Sequence, residues 1–208
     1  MHLKIIGVAA IIVGLVGCSD NSTIKEAVQE SHPDGSPKKV IFYKGSPKNL
    51  VRTVFYHANG KIQSDSYFKD GLADSIQTMY YVSGAKYKET FFKAGKKHGP
   101  EKSWYEDGKL KSEANYVDSL VEGPFKTYFE DGSIQSEVTY KAGKKDGQEI
   151  SYYPSGLQKT LKTYVNGDKE GVEQEWYENG KMKTEVNYKK NVLNGPFTTF
   201  YKNGKKEE

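Results

Sequence analysis

The sequence contains a single cysteine, Cys18, among 208 residues, with three methionines and two tryptophans. One thiol excludes a disulfide framework within the chain. Hydrophobic residues make up 36% and mean hydropathy is −0.77, which excludes a thick aliphatic core. An excess of one charge is lacking too. Lys+Arg number 31 and Asp+Glu 27, and the net +4 is spread along the chain. Nucleic-acid binding, which relies on a concentrated basic patch, is not predicted. The four histidines are His2, His32, His57 and His98, and no pair has metal-ligand spacing. No nucleophile stands with a base and an orienting group, so the sequence predicts neither an enzyme nor a cofactor. The one long apolar run, Ile5 to Gly17, is too short to span a bilayer.

That run follows Lys4 and ends in Leu15-Val16-Gly17-Cys18. Its length suits the apolar region of a signal peptide. Leu, a further residue, a small residue and then Cys resembles the lipobox of bacterial lipoproteins. The resemblance implies a signal peptide over 1–17, cleavage before Cys18 and lipidation of Cys18. Several acyl chains on one residue hold a protein firmly to a membrane, where a single chain binds marginally. Ser19 after the cysteine points to the outer membrane of a bacterial envelope. Residues 18–32 read as the lipidated Cys and a polar tether, and 33–208 as the folded array.

What the chain has in quantity is glycine (21) and tyrosine (16). Both are periodic. Gly60, Gly84, Gly108, Gly132, Gly156, Gly180 and Gly204 recur at one constant interval, without an insertion. Counted from these, the +11 column is Gly71, Gly95, Ser119, Gly143, Gly167 and Asn191, and the +15 column is Ser75, Gly99, Gly123, Gly147, Gly171 and Gly195. Such a pattern fits positions of positive φ. Aromatics fill the +8 column (Phe68, Phe92, Tyr116, Tyr140, Tyr164, Tyr188). They also fill the +20 column (Tyr80, Trp104, Tyr128, Tyr152, Trp176, Phe200) and the +21 column (Tyr81, Tyr105, Phe129, Tyr153, Tyr177, Tyr201). The +5 column is acidic (Asp65, Glu89, Glu113, Glu137, Glu185) except at Leu161.

Inside a unit the period falls to two. In 109–117, "KLKSEANYV", Leu110, Ser112, Ala114 and Tyr116 share one face, with Lys111, Glu113 and Asn115 on the other. Alternation of this kind predicts strands. The fold class is therefore all-β: an antiparallel meander of about seven 24-residue hairpins. The first unit, around Pro33-Asp34-Gly35, is irregular, and the chain ends in Lys205-Lys206-Glu207-Glu208. Both ends read as caps over sheet edges.

The stretch 176–204, "WYENGKMKTEVNYKKNVLNGPFTTFYKNG", resembles bacterial MORN-variant repeats, a family often catalogued as toxin–antitoxin system antitoxin. The similarity spans about 33–208. It implies a β-hairpin array with a binding role and no catalytic residues. The repeated acids read as partners of cross-strand lysines or turn N–H groups. "FKAGKKHG" (92–99) and "YKAGKKDG" (140–147) could cradle a phosphate between lysines and glycine amides, or could be solvated turns. The candidate binding residues are the aromatic rows, Tyr80, Trp104, Tyr128, Tyr152 and Trp176 with Tyr81, Tyr105, Tyr153, Tyr177 and Tyr201. Such rows suit a protein partner in the envelope or stacking on a glycan such as peptidoglycan. An antitoxin-like neutraliser of an exported toxin is the third expectation.

Overall fold

The computed structural model describes residues 23–207, which form strands and turns with no helix. The predicted signal peptide, Cys18, residues 19–22 and Glu208 lie outside the described residues. The chain divides into two compact units between Lys96 and Lys97.

In the first unit β1 (Ile24–Ser31), β2 (Pro37–Lys44), β3 (Leu50–Tyr56), β4 (Ile62–Lys69), β5 (Leu72–Tyr80) and β6 (Lys86–Lys93) each pair antiparallel with the next. This corrects the tether. Ile24–Ser31 is a strand, paired with β2 from Ile24↔Lys44 to Ser31↔Pro37. Its polar sequence reads as linker because its side chains are mostly exposed; its backbone is nevertheless paired along one edge.

In the second unit the strands are β7 (Lys96–Trp104), β8 (Leu110–Val117), β9 (Leu120–Val121), β10 (Gly123–Tyr128) and β11 (Ile134–Lys141). They continue as β12 (Lys144–Tyr152), β13 (Gln158–Val165), β14 (Asp168–Lys169), β15 (Gly171–Trp176), β16 (Met182–Lys189) and β17 (Val192–Thr199). All pairings are antiparallel between neighbours in sequence, the two-residue β9 and β14 being bulged-off ends of β10 and β15.

The three glycine columns do three different jobs. Gly60 closes a type I turn in which its N–H donates to the His57 carbonyl and the His57 N–H to Lys61, both at 2.9 Å. Its φ of +77° is the left-handed residue such a hairpin needs. The +11 column sits in two-residue turns with both φ values positive, as at Asp70 (52°) and Gly71 (78°). That is a type I′ turn, whose twist matches the strands. The +15 column lies inside strands. Between Val138↔Glu149 and Tyr140↔Lys145 one strand advances two residues while its partner advances four, with Gly147 (φ 113°) in the bulge. The +15 glycine therefore interrupts a strand that already began at the type I′ turn.

The core is one residue deep. Val40, Ile41, Val54, Ala114, Val138, Tyr164 and Val186 are the buried hydrophobics, alongside buried Thr53, Ser66, Thr78 and Thr90. The alternation expected in 109–117 holds, with Ala114 buried and Lys111 and Asn115 exposed. Small and β-branched residues fit because long side chains from neighbouring strands cover them on a pleated surface.

Candidate functional site

The +21 aromatics act between repeats. Tyr105 donates its hydroxyl to the Tyr128 carbonyl at 2.7 Å, Tyr153 to Trp176 at 2.8 Å and Tyr177 to Phe200 at 2.8 Å. Each bond ties one hairpin to the next, 23 residues on. In the first unit histidines take the place of tyrosine, with His32 Nε2 to the Tyr56 carbonyl at 3.1 Å and His57 Nε2 to Tyr80 at 3.2 Å. A carbonyl only accepts, so both nitrogens carry a proton. The signal is present in the sequence: His32 and His57 precede Gly35 and Gly60 by three residues, as Tyr105 precedes Gly108. Tyr81 stacks edge-on against Tyr87 at 5.1 Å. Tyr201 is 54% exposed. The other rings of this column are half-buried.

The +20 rings Tyr80, Trp104, Tyr128, Tyr152 and Trp176 are also half-buried. Tyr128 donates to the Glu113 carboxylate at 2.7 Å and Tyr152 to Glu137 at 3.3 Å. Burial, reinforced by the bond to Glu113, pushes the Tyr128 hydroxyl up to about 12. Burial and the Glu137 charge raise Tyr152 as well. Neither predicted row is a freely exposed stacking platform. Tyr105, Tyr153 and Tyr177 of the +21 row commit their hydroxyls to the backbone, and Tyr128 and Tyr152 of the +20 row commit theirs to the acid column.

That acid column pairs across strands, as expected. Glu113 faces Lys102 and Glu137 faces Lys126, each at 3.8 Å. Arg52 grips Asp65 with two bonds of 2.7 Å and stacks between the rings of Phe42 and Tyr67. Among the described residues no group of three metal-ligating side chains converges.

The "KAGKK" turns are not phosphate cradles. The Gly95 N–H donates to the Ala73 carbonyl at 2.7 Å and Gly143 to Val121 at 2.9 Å. Lys97 and Lys145 turn inward, meeting Glu101 and Glu149 at 2.6 Å and capping the rings of Tyr116 and Tyr164 at 4.6 and 4.9 Å. Lys169, Glu173 and Tyr188 repeat this triad. Burial opposes ionisation of Glu149, but its bonds to Lys145 and Tyr164 outweigh that and hold it below the ordinary carboxylate range.

On the second unit, residues of several columns line adjoining shallow cavities. Pro100, Lys102, Glu113, Asn115, Pro124 and Lys126 surround about 320 Å³. One repeat further, Pro124, Glu137, Thr139, Gln148 and Ile150 surround about 310 Å³. A third cavity, of about 340 Å³, holds aromatic rings, with Phe129, Tyr152, Tyr153 and Pro154 beside Lys159. Pocket-forming positions are legible as columns in the sequence, but which columns meet at a groove depends on the bulge register.

No curated protein matches the chain. Residues 52–70, 97–118, 121–142 and 169–190 match the family described as MORN repeat variant. The last three matches each run from just after one type I′ turn into the next, and the first ends in such a turn, so the matched unit is the hairpin closed by the type I turn. The in-register copies at 73–94 and 145–166 carry Ser75 at the bulge and Leu161 in the acid column. By architecture the chain is a repeat protein of β-hairpins, and four of its hairpin segments match the MORN repeat variant.

Proposed function

We propose that this chain is a non-enzymatic scaffold, held to a bacterial envelope membrane by lipidated Cys18, that binds proteins along its repeat face. The observation carrying the reading is the row of adjoining cavities in the second unit, where Lys102, Glu113, Lys126 and Glu137 alternate in sign between prolines. A shallow, pre-ordered, mixed-charge groove suits a protein segment of complementary charge better than a small molecule. The anchor rests on Lys4, the apolar run and Leu15-Val16-Gly17-Cys18. No cofactor or nucleic acid enters the reading. A photo-crosslinker at Thr139 of the full chain tests it. The expected result is one discrete protein adduct, lost when Lys102→Glu and Lys126→Glu reverse the groove. Crosslinking indifferent to those changes argues against it. A partner that proves toxic when freed would make the scaffold a neutraliser.

The aromatic cavity at Phe129, Tyr152 and Tyr153 favours a second reading, a glycan such as peptidoglycan. Saturable, salt-resistant co-sedimentation with sacculi that Tyr152→Ala weakens would support it, since stacking survives screening.

A further inference from the structure

Type I turns of the array reach forward to the next turn with side-chain donors. At 57–61 three act together: His57 Nε2 donates to the Tyr80 carbonyl, Asn59 Nδ2 to Val82 at 2.9 Å and the Lys61 ammonium to Ser83. At 177–181 the set is Tyr177 to Phe200 at 2.8 Å, Asn179 to Lys202 at 2.9 Å and Lys181 to Asn203 at 2.7 Å. The turns at 105–109 and 153–157 keep the tyrosine bond.

The turn at 129–133 keeps none. Phe129 lacks the hydroxyl, and Asp131 and Ser133 stand where Asn179 and Lys181 stand in the later turn. Both commit their side chains locally, Asp131 Oδ1 accepting from the Ser133 N–H at 2.8 Å and from its hydroxyl at 2.6 Å. Among the described residues of the second unit, this is the one step at which no side chain of a type I turn bonds the next. The Tyr152 and Pro154 carbonyls, which correspond to those of Phe200 and Lys202, receive no donor from the turn before them.

The aromatic cavity of about 340 Å³ lies at this step. The rings of Phe129, Tyr152 and Tyr153 line it with Pro154 and the exposed Gln135 and Lys159. Lys159 stands over the Tyr153 ring at 5.6 Å and forms no ion pair among the described residues. No carboxylate lines the cavity. Its serine hydroxyls, on Ser136 and Ser151, already pair with Thr127 and Thr160, each at 2.7 Å. Backbone acceptors, ring faces and one cation remain for a ligand.

The sibling turn shows what the acceptors take: a hydroxyl from Tyr177 and an amide N–H from Asn179. A pyranose carries such donors around its edge and C–H groups across its face, which suits an apolar cavity with few convergent polar groups. A lysine with no opposing acid selects an anionic substituent. We propose that this step binds an acidic sugar, its ring against Phe129 and Tyr153, its hydroxyl or acylamino donors on the Tyr152 and Pro154 carbonyls and its carboxylate beside Lys159. The inference rests on the glycan reading of this cavity and adds the class of sugar.

Saturation-transfer NMR on the full chain tests it with two matched pairs, glucuronic acid against glucose and N-acetylmuramic acid against N-acetylglucosamine. One member of each pair carries a carboxylate, and which acid binds identifies its source. The acidic member should bind about threefold tighter, the size of one exposed charge pair, and Lys159→Gln should abolish that preference. Phe129→Tyr, Asp131→Asn and Ser133→Lys together rebuild the turn sequence of 177–181. The missing donors then come from within, so binding should fall by about tenfold while the urea midpoint does not fall. Phe129→Tyr alone should weaken binding in part, by placing a hydroxyl on the Tyr152 carbonyl as Tyr153 does on Trp176. Equal binding of acidic and neutral members overturns the proposal, as does native affinity in both turn variants. Displacement of the sugar by triglutamate at equal concentration also overturns it, by making the cavity a site for acidic peptide. Sacculi that sediment the native and rebuilt chains equally leave the glycan reading standing and remove this site. Loss of binding to sugars and sacculi alike removes both.

Discussion

Repeat 121–140 and repeat 145–164 have the same backbone and opposite chemistry. At 145–164, Lys145 meets Glu149 at 2.6 Å over the Tyr164 ring. At 121–140 the same two positions hold Val121 and Phe125, and Phe125 stands edge-on to Tyr140 at 6.3 Å. The exchange is paired throughout the second unit. Lys97, Lys145 and Lys169 go with Glu101, Glu149 and Glu173, while Val121 and Leu193 go with Phe125 and Phe197. A bulged strand places residues four apart on one face, so the two columns act as a unit. Either an ion pair covering a ring or two apolar side chains will cover the thin core beneath. The hairpin thus needs coverage at that point and leaves its polarity open.

The largest expected effect breaks both repeats alike. Gly123 (φ 81°) and Gly147 (φ 113°) hold the bulges, and a β-branched residue there is strained whatever space surrounds it. Gly123→Val and Gly147→Val should each lower stability by about 1–3 kcal/mol in urea unfolding. A loss confined to one of them would show that the bulges are not equivalent.

The next effect separates the repeats. Lys145→Val alone removes the ion-pair partner of Glu149, whose side chain is 23% exposed, leaving it the Tyr164 hydroxyl, and should cost about 1.5–3 kcal/mol. Adding Glu149→Phe should recover most of that, because the double change recreates the 121–140 arrangement. A double mutant as weak as the sum of its parts would refute interchangeability.

A smaller effect, about 0.5–1.5 kcal/mol, is expected from Tyr153→Phe or Tyr177→Phe, which delete a hydroxyl bonded to the next hairpin. Tyr201→Phe, at an exposed ring, is the comparison and should change nothing measurable.

The last effect depends on pH. Glu149 is held below its ordinary range, so its contribution is complete above the unfolded value near 4.5 and fades as pH falls through the lower folded value. Hydrogen exchange should therefore loosen 145–164 before 121–140 on acidification. At the alkaline end Tyr128 is raised to about 12, so its contribution is complete below pH 10 and is lost as pH climbs through the folded value. Tyrosinate absorbance in Tyr128→Phe should lack that late-ionising component.

The strand content, the hairpin period and the acid–lysine pairing are all legible in the sequence, because alternation and glycine spacing are local properties of the chain. β1 is not, since a solvated edge strand has the composition of a linker. The +15 glycines resemble turn residues because a bulge and a turn both require positive φ, and only pairing distinguishes them. The aromatic rows can be located from the letters, but their duties cannot. The reach of a tyrosine hydroxyl to a carbonyl 23 residues away is hinted at only where histidine, another donor, replaces tyrosine at 32 and 57. The exchange of Lys–Glu for Val–Phe is written in the letters at 97, 121 and 145. It acquires meaning only once the bulge brings positions four apart onto one face of a strand.

By itself, then, the sequence determined an all-β array of 24-residue hairpins with glycine at most left-handed positions, since both follow from steric limits on single residues and their neighbours. Tertiary structure alone decided which hydroxyls and lysines are engaged between repeats and which turn amides are left open. That outcome depends on where the preceding hairpin places its carbonyls, and the irregular loop at 45–49 moves them away from Asp70 and Gly71.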